Sequence, residues 1–435
     1  MADISASDIV VPPAQLETAD GRPLKAALAT AESAARRRAF FLVMPLLLFV
    51  VVTFIFPIGQ MLMRSISDPR FIEHVDLGTG QTTPIMVDLR AWFDDNPQGT
   101  EPDEAAYAAL VSDLIHLREI KAQGNVGTRI NYVHPGSRSL FTGSARRAAR
   151  LEAPYKEAVL DMDEDWAEPA LWQAMRSASG RYTFDFYLAA VDRERDDAGK
   201  IQRVEDERAI YLLLFERTMI LSVVITCLTL ILGFPVAYLL ATLPLRYSNV
   251  LMIFVLLPFW TSLLVRTTSW IVLLQSQGVV NDVAVSVGLI ADENRLQMIY
   301  NQTGTVIAMT HILLPFMILP LYSVMRPINP SYVRAARSLG ATSWTAFRRI
   351  YLPLTIPGIA AGSLLVFILA VGYYITPALV GGSKGQLISN LIAFHMQSSL
   401  NWSLAAALAG LLLGGILILY WLYDRLVGID NLKLG

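Results

Sequence analysis

The sequence predicts an all-α membrane protein with six transmembrane helices and a large, mostly helical extracytoplasmic insert between the first two. Hydrophobic residues make up 54% of the 435-residue chain and charged residues only 17%, whereas soluble domains carry about 25% charged residues. Six stretches are apolar over at least about 20 residues, the length that crosses a bilayer. Such spans must be helices, because each backbone polar group in lipid needs a partner within its own segment.

The six apolar stretches divide the chain into segments. The spans are expected at about 39–63, 218–245, 247–275, 304–325, 355–380 and 404–423. The first stretch is too long for the apolar part of a signal peptide, so we expect a retained anchor. The predicted segments are a cytoplasmic tail 1–38, transmembrane helix 1 at 39–64, the insert 65–208, a membrane core 209–428 that holds helices 2–6, and a cytoplasmic tail 429–435.

The placement of arginines predicts the orientation of the chain. Three consecutive arginines precede the first span, and residues 326–349 contain five more. The two short loops on the opposite side carry only Arg295 and Lys384. Because positively charged residues accumulate in cytoplasmic loops, both termini are expected in the cytoplasm and the insert outside it.

The insert differs from the spans in charge and in pattern. Residues 65–212 include 26 acidic and 17 basic side chains, an excess of nine negative charges. Apolar residues recur at helical spacing after Asp103, which predicts an amphipathic helix starting there. These residues are Tyr107, Leu110, Val111, Leu114, Leu117 and Ile120. A second helix is expected within 153–178.

Two interpretations of the insert remain open. Its tryptophans and phenylalanine make it too apolar for a disordered segment. These are Trp92, Phe93, Trp166 and Trp172. The insert is either a small cap that packs on the outer ends of the helices or a docking surface for an extracytoplasmic partner. Acidity does not separate the two, because charged runs usually face water.

A basic segment at residues 327–353 lies between two apolar spans. "SYVRAARSL" predicts a short helix that stops at Gly340, since glycine tolerates a positive φ. "TSWTAFRRIY" predicts a second short helix with Thr342 or Ser343 as its N-cap. The Leu352–Pro353 pair is expected to break the pattern before the next span. A bent helical pair of this kind is suited to a groove on another protein.

The spacing of this segment resembles a known signature. Permease subunits of ABC importers carry a cytoplasmic loop of the form E-A-A-x3-G-x9-I-x-L-P. The matching positions are Arg334, Ala335, Ala336, Gly340, Ile350, Leu352 and Pro353. The one departure is Arg334, where the pattern has Glu. The resemblance implies that the segment couples the permease to a cytoplasmic ATPase; the other interpretation is a loop that only sets topology.

A second resemblance is narrower. "LPFWTSLLVRTTSWIVLL", "HILLPFMILPLYSVMRPI", "NWSLAAAL" and "RYTFDFYLAAV" are similar to stretches of spermidine/putrescine-type permeases. This resemblance implies a multi-pass protein of the bacterial inner membrane that imports polyamines or a related small organic solute. It also implies three kinds of partner: ATPase subunits, a second homologous permease and an extracytoplasmic solute-binding protein.

No P-loop or zinc-protease signature accompanies these features, since G-x4-G-K-[ST] and H-E-x-x-H do not occur. We therefore expect no catalytic, metal or cofactor site in this chain, with ATP bound by the partner ATPase, and no nucleic acid partner at a net charge of -2. The single cysteine, Cys227, is expected to pack as a small hydrophobe.

Polar and aromatic residues in the spans suggest a translocation path. The candidates are Trp260, Thr261, Arg266, Thr267, Tyr373 and Tyr374. Charges inside a membrane point to function, but on a straight third helix Arg266 would lie about 28 Å from the cytoplasmic end. A snorkelling or structural role therefore stays open. His311 is expected to be a hydrogen-bonded packing residue. The middle of each span lacks the carboxylate that a polyamine cation would favour.

Two other protein classes remain as alternatives. A self-sufficient secondary transporter would need internal repeats and buried ionisable residues, and the sequence shows neither. A membrane sensor with a ligand-binding insert would need a cytoplasmic output domain, for which the 38-residue head and the short tail are expected to leave no room.

Overall fold

The computed structural model describes residues 24–76, 78–196 and 199–427. Most of the predicted tail 1–38 and all of the tail 429–435 lie outside these ranges. The chain divides into two compact units, Met1–Met61 and Leu62–Gly435.

The first predicted span is a long helix. It comprises α1 (Leu24–Val50), a π-helical turn (Val51–Ile55) and α2 (Phe56–Ile66). Pro57, which has no N–H to donate four residues back, directly follows the wider turn. Residues Ala35–Ile66 are apolar enough to cross a membrane, and their apolar window is not buried.

The insert is mainly helical, with two short antiparallel hairpins that correct the all-α prediction. Its helices are α3 (Val87–Asp95), α4 (Glu104–Glu119), α5 (Gln123–Asn131), α6 (Ser137–Arg147), α7 (Tyr155–Met162), α8 (Pro169–Ser179) and α9 (Asp185–Ala190). Strand β1 (Glu73–Val75) pairs with β2 (Thr82–Pro84), and β3 (Arg193–Arg195) pairs with β4 (Ile201–Arg203). A glycine with positive φ lies in each connection, at Gly80 and Gly199, and such turns favour hairpins.

A packed core confirms that the insert is folded. The carboxylate of Asp103 accepts a hydrogen bond from the N–H of Ala106 (3.0 Å) and starts α4 as predicted. The apolar residues of α4 point into a core around Trp166, which is fully buried and donates to the Ser144 hydroxyl (3.0 Å). The helix expected within 153–178 is two helices, α7 and α8, because Pro169 starts a new one.

The membrane core consists of helices of very different length. They are α10 (Tyr211–Thr242), α11 (Leu245–Leu256), α12 (Leu263–Leu274), α13 (Val279–Ser286), α14 (Gln302–Met325), α15 (Ser331–Ser338), α16 (Ser343–Ala346), α17 (Leu352–Gly372), α18 (Ile375–Val380), α19 (Gly382–Gly385), α20 (Ile388–Gln397) and α21 (Trp402–Val427). Within the described ranges, five helices are long and apolar enough to cross a membrane, and a bent pair makes up to six.

The third predicted span is bent. The helices Leu245–Trp260 and Leu263–Ser286 meet at 96°, whereas the sequence predicted one continuous helix over 247–275. Pro258 removes a backbone donor in the last turn before the bend. The hydroxyl of Ser262 then accepts the N–H of Val265 (3.1 Å) and starts a new helix.

Close helix packing holds the membrane core together. The long helices α10 and α17 both pack against α14. A Cβ at Gly358 of α17 would lie 3.0 Å from the Cβ of Val324 and 3.2 Å from the Cα of Leu321. Gly358 and Gly362 form a G-x-x-x-G pair, and small residues of this kind let helix backbones approach closely in lipid.

Cys227 lies on the outside of this packing. It is exposed, in contrast to the predicted buried position. It borders an apolar groove of about 510 Å³ between α10, α17 and α21, together with Phe367 and Tyr423.

A polar cluster, with Asp68, Arg129 and Ser403 buried and the rest half-buried, joins the insert to the membrane core. We call it the polar joint; it comprises Asp68, Arg70, Arg129, Tyr132 and Ser403. Arg70 donates to Asp68 (Nε–Oδ1, 2.8 Å), and the Ser403 hydroxyl lies 3.4 Å from the same carboxylate. Tyr132 donates to the carbonyl of Leu400 (2.8 Å). Burial alone would raise the pKa of Asp68, but the hydrogen bonds and charge of Arg70, with the charge of Arg129, hold it below its usual range.

Gly358→Val should destabilise the core by about 1–3 kcal/mol, because the new side chain would overlap α14. Gly415→Val is the matched control, since a Cβ at Gly415 meets nothing within 4 Å. Thermal unfolding in detergent measures both variants. Equal melting temperatures for the two would contradict the packing described for α14 and α17.

Asp113 should make the stability of the insert depend on pH. Burial raises its pKa to about 6, although the N–H groups of Leu89 and Asp88 oppose the shift. The folded insert therefore binds a proton more tightly than the unfolded chain, and its stability should fall by on the order of 3 kcal/mol as pH rises from about 4 to above 6.

Asp113→Asn should remove this pH dependence, because asparagine stays neutral. Tryptophan fluorescence during thermal unfolding, recorded from pH 4 to 8, measures the effect. Asp161→Asn, at an exposed position, is the control. A slope that persists in Asp113→Asn would show that another group causes it.

Candidate coupling surface and membrane path

The basic segment 327–353 has the predicted helix-glycine-helix geometry. Gly340 has a φ of +91° and ends α15. Its N–H donates to the carbonyl of Arg337 (3.0 Å), and the N–H of Ala341 donates to Ala336 (3.1 Å). This pair of bonds is the Schellman arrangement, in which a left-handed residue satisfies the last carbonyls of a helix.

The second helix begins at the predicted cap but does not break where expected. The hydroxyl of Thr342 accepts the N–H of Thr345 (3.2 Å). A π-helical turn, Phe347–Tyr351, then joins α16 to α17, so the helix runs without a break to Gly372. The expected stop at Leu352–Pro353 is wrong, because Pro353 lies inside the continuous helix Ser343–Gly372, just past the π-helical turn.

Aromatic side chains connect the basic segment to α10. The rings of Trp344 and Phe347 are stacked with centroids 5.7 Å apart, and those of Phe347 and Tyr351 are 6.0 Å apart. Tyr238 of α10 meets the ring of Tyr351 edge-on at 5.2 Å, and Phe234 meets Phe347 at 6.1 Å. The aromatic contacts therefore join the basic segment to the last turns of α10.

The outer side of the segment is exposed. Leu339 and Trp344 are 89% and 68% exposed. Among the seven signature positions, Ala336, Ile350 and Leu352 are half-buried, and the others are exposed: Arg334, Ala335, Gly340 and Pro353. An apolar surface between arginines is typical of a contact with another protein.

Charged groups anchor α10 at both ends. At its first turn the carboxylate of Asp192 accepts the N–H groups of Tyr211 (3.0 Å) and Leu212 (2.7 Å). At its last turn the guanidinium of Arg326 donates to the carbonyls of Ala241 (2.7 Å) and Leu243 (3.1 Å). Both charges have the sign that the helix dipole favours. The insert contacts the first turn of this 32-residue helix, about 48 Å long, and the basic segment contacts its last turns through Phe347 and Tyr351.

The structure brings only some of the predicted path residues together. Thr267 is buried, and its hydroxyl lies 3.2 Å from that of Thr376. Tyr373 and Tyr374 follow the end of α17, so their expected position inside the fifth span is wrong. Their carbonyls accept bonds from Ser389 and Asn390 of α20. Trp260 is 74% exposed at the bend. Thr261 is also exposed there, and its hydroxyl donates to the carbonyl of Pro258 (2.9 Å).

Arg266 lies one turn past the bend, so the distance along a straight helix does not apply to it. Its Nε is buried without a hydrogen-bond acceptor. The guanidinium is near enough to His311 and Tyr373 to interact electrostatically with both. The ring N–H of Trp270 donates to Nδ1 of His311 (3.1 Å). His311 is therefore hydrogen-bonded as predicted, but its side chain is exposed rather than packed in the core.

Sequence reasoning missed two features of these sites. Phe234 and Tyr238 form the contact of α10 with the basic segment, and their spacing of four near the end of a predicted span was an available signal. The G-x-x-x-G pair Gly358–Gly362 was also readable as a helix-packing motif.

Comparisons with known proteins identify the family of the chain. Residues 229–428 match the family model described as "Binding-protein-dependent transport system inner membrane component". The spermidine/putrescine transport system permease protein PotB of Salmonella typhimurium (strain LT2) is 34% identical over 245 residues, 54% of this chain and 84% of that protein. The inner membrane ABC transporter permease protein YdcU of Escherichia coli (strain K12) is 34% identical over 251 residues, 54% of this chain and 76% of that protein.

A solved bacterial ABC transporter, involved in the import of the acidic polysaccharide alginate, is 21% identical with a TM-score of 0.43 over 51% of this chain and 80% of that chain.

The curated relatives are similar over most of their own length, and this similarity decides the assignment. The chain belongs to the family of binding-protein-dependent transport system inner membrane components, as a multi-pass permease subunit of an ABC importer.

Proposed function

We propose that this permease imports a polyamine or a related small organic solute, and that the basic segment 327–353 couples ATPase closure to alternating access. The observation that carries the coupling role is the aromatic stack from Trp344 to Tyr238. The solute class is supported by the names of the PotB relatives. Uptake of labelled spermidine and putrescine, with amino acids as comparison, tests the solute in a strain that lacks the gene.

The coupling proposal assigns a direction of movement. An ATPase that grips Leu339 and Trp344 pulls on a segment stacked against α10, and α10 packs against α14 and α17. Because packed helices move as rigid bodies, closure of two ATPase subunits rocks the core toward the outward-open state. The translocation path then runs beside the exposed side chains of Trp260 and Tyr374, between this chain and a second permease.

The proposed orientation places both termini in the cytoplasm and the insert outside. The insert and the basic segment contact opposite ends of α10, as described above for Asp192 and for Tyr351. If the arginine-rich end is cytoplasmic, the insert faces the solute-binding protein. Its excess of negative charge and its folded core support a docking role; a cap without a partner is the alternative.

Gly340→Val should lower coupled transport about ten-fold, because a β-branched residue at φ +91° is strained by about 1–2 kcal/mol. A Cβ at this position meets nothing within 4 Å, so the effect reports the backbone alone. Gly340→Asn is the matched control, since asparagine adopts left-handed conformations more readily. Uptake and ATP hydrolysis are measured at equal membrane levels. Normal coupling in Gly340→Val would contradict the proposed role.

Removal of residues 87–179 should show whether the insert is a docking surface for a partner or only a cap. The ends of this segment are close together, because Arg90 donates to the carbonyl of Ser179 (3.1 Å). Docking predicts at least a ten-fold loss of uptake at low solute concentration in an assembled transporter. Unchanged uptake under those conditions would exclude docking.

A further inference from the structure

Within residues 24–76, 78–196 and 199–427, Arg266 is a cation without a counter-charge. Its Nε is buried and has no acceptor, and no ion pair joins its guanidinium to a carboxylate in these ranges. The neighbouring groups do not neutralise it. Thr267 is bonded to Thr376, and His311 accepts a bond from Trp270.

The depth of Arg266 argues against a lipid headgroup as its partner. Trp270, one turn further along α12, contacts His311. His311 is nine residues beyond the start of the 24-residue α14, about 14 Å along a helix of about 36 Å. A position near the middle of that helix is too deep for headgroups, and a guanidinium there is unfavourable unless it is paired.

One face of the bent pair Leu245–Trp260 and Leu263–Ser286 is exposed in the part of the chain that the structure describes. One side of α12 packs on α14 and α18 through Thr267 and Trp270. Leu264 and Val265 of α12 are apolar and more than half exposed, and so are Phe254 and Trp260 before the bend. Arg266 lies in sequence between exposed Val265 and buried Thr267, at the rim of the uncovered face. A helix that covers this face is therefore within reach of the guanidinium.

The positive charge of Arg266 limits which molecule can cover the exposed apolar face of the bent pair. A polyamine is itself a cation and cannot neutralise Arg266. A second copy of this chain would have to bring a carboxylate to the same depth. In the described candidate spans, carboxylates lie only near helix ends: Glu216, Asp282 and Asp424. Asp282 is already paired with Arg295 (2.7 Å).

We infer that Arg266 recognises a second, non-identical permease, which presents an Asp or Glu from the middle of a membrane-spanning helix. This inference rests on the proposed function, because it assumes a permease pair. A guanidinium and a carboxylate form two parallel, charge-assisted hydrogen bonds, which specify geometry as well as attraction. The pair would also remove the positive charge that otherwise repels a cationic solute from the adjacent path.

The test uses the full chain, tagged and purified in mild detergent with its ATPase and the permease that co-purifies. Arg266→Gln should lower recovery of the second permease at least ten-fold, while Arg266→Lys should keep at least half of it. Arg246→Gln, at an exposed arginine of the same bent pair, is the matched control. Recovery that is unchanged in Arg266→Gln would overturn the inference.

Exchanging the charges of Arg266 and its partner identifies the partner carboxylate. It also distinguishes loss of the ion pair from misfolding of the Arg266 variant. Arg266→Glu should abolish uptake, and replacing one mid-span acid of the second permease by arginine should restore it. A disulfide between Val265→Cys, in a Cys227→Ser background, and a cysteine beside that acid should form in native membranes. Crosslinks only between two copies of this chain, or no rescue by any exchanged acid, would overturn the inference. Absence of any co-purifying ATPase would instead contradict the proposed function itself.

Discussion

The close approach of α14 to its two neighbours is the constraint on which the membrane core depends. In lipid, helices gain little from the hydrophobic effect and associate through tight packing. Glycines provide it here: Gly233 of α10 and Gly362 of α17 both contact Met317. Any larger residue would push the helices apart. With the three helices locked, the elements at their two ends keep a defined position relative to one another.

The long helix α10 is the common element of the insert and the basic segment. Asp192 satisfies the N–H groups at one end, and Arg326 satisfies the carbonyls at the other. Both ends of the helix are thereby kept from fraying. The aromatic contacts at Phe234 and Tyr238 lie within its last turns, so a push from the basic segment acts on an ordered helix rather than on a loose end.

Helix caps and turns formed by residues close in sequence were predictable, whereas helix bends and contacts between several helices were not. Asp103 and Thr342 act through neighbours three residues away, and Gly340 through its own φ, so each was predicted correctly. Pro258 and Pro353 show the difficulty: one accompanies a 96° bend and the other sits inside a continuous helix, because the effect of proline depends on its position in the turn.

The short hairpins were overlooked because each strand has only three residues. The residues predicted to line a translocation path do not all lie together. Residues beyond a bend cannot be placed by counting along a straight helix. Membership of the permease family also rules out the secondary transporter and the sensor, which the residues alone left as alternatives.

The exposed thiol of Cys227 is a natural attachment site for a spectroscopic probe. It is the only sulfhydryl in the sequence, and it stands on α10 at the edge of an apolar groove. A maleimide that dissolves in the bilayer would therefore attach a spin label or fluorophore at one known point on this helix, with no background from other sites. Successive nucleotide states of an assembled transporter could then be compared in the wild-type chain itself.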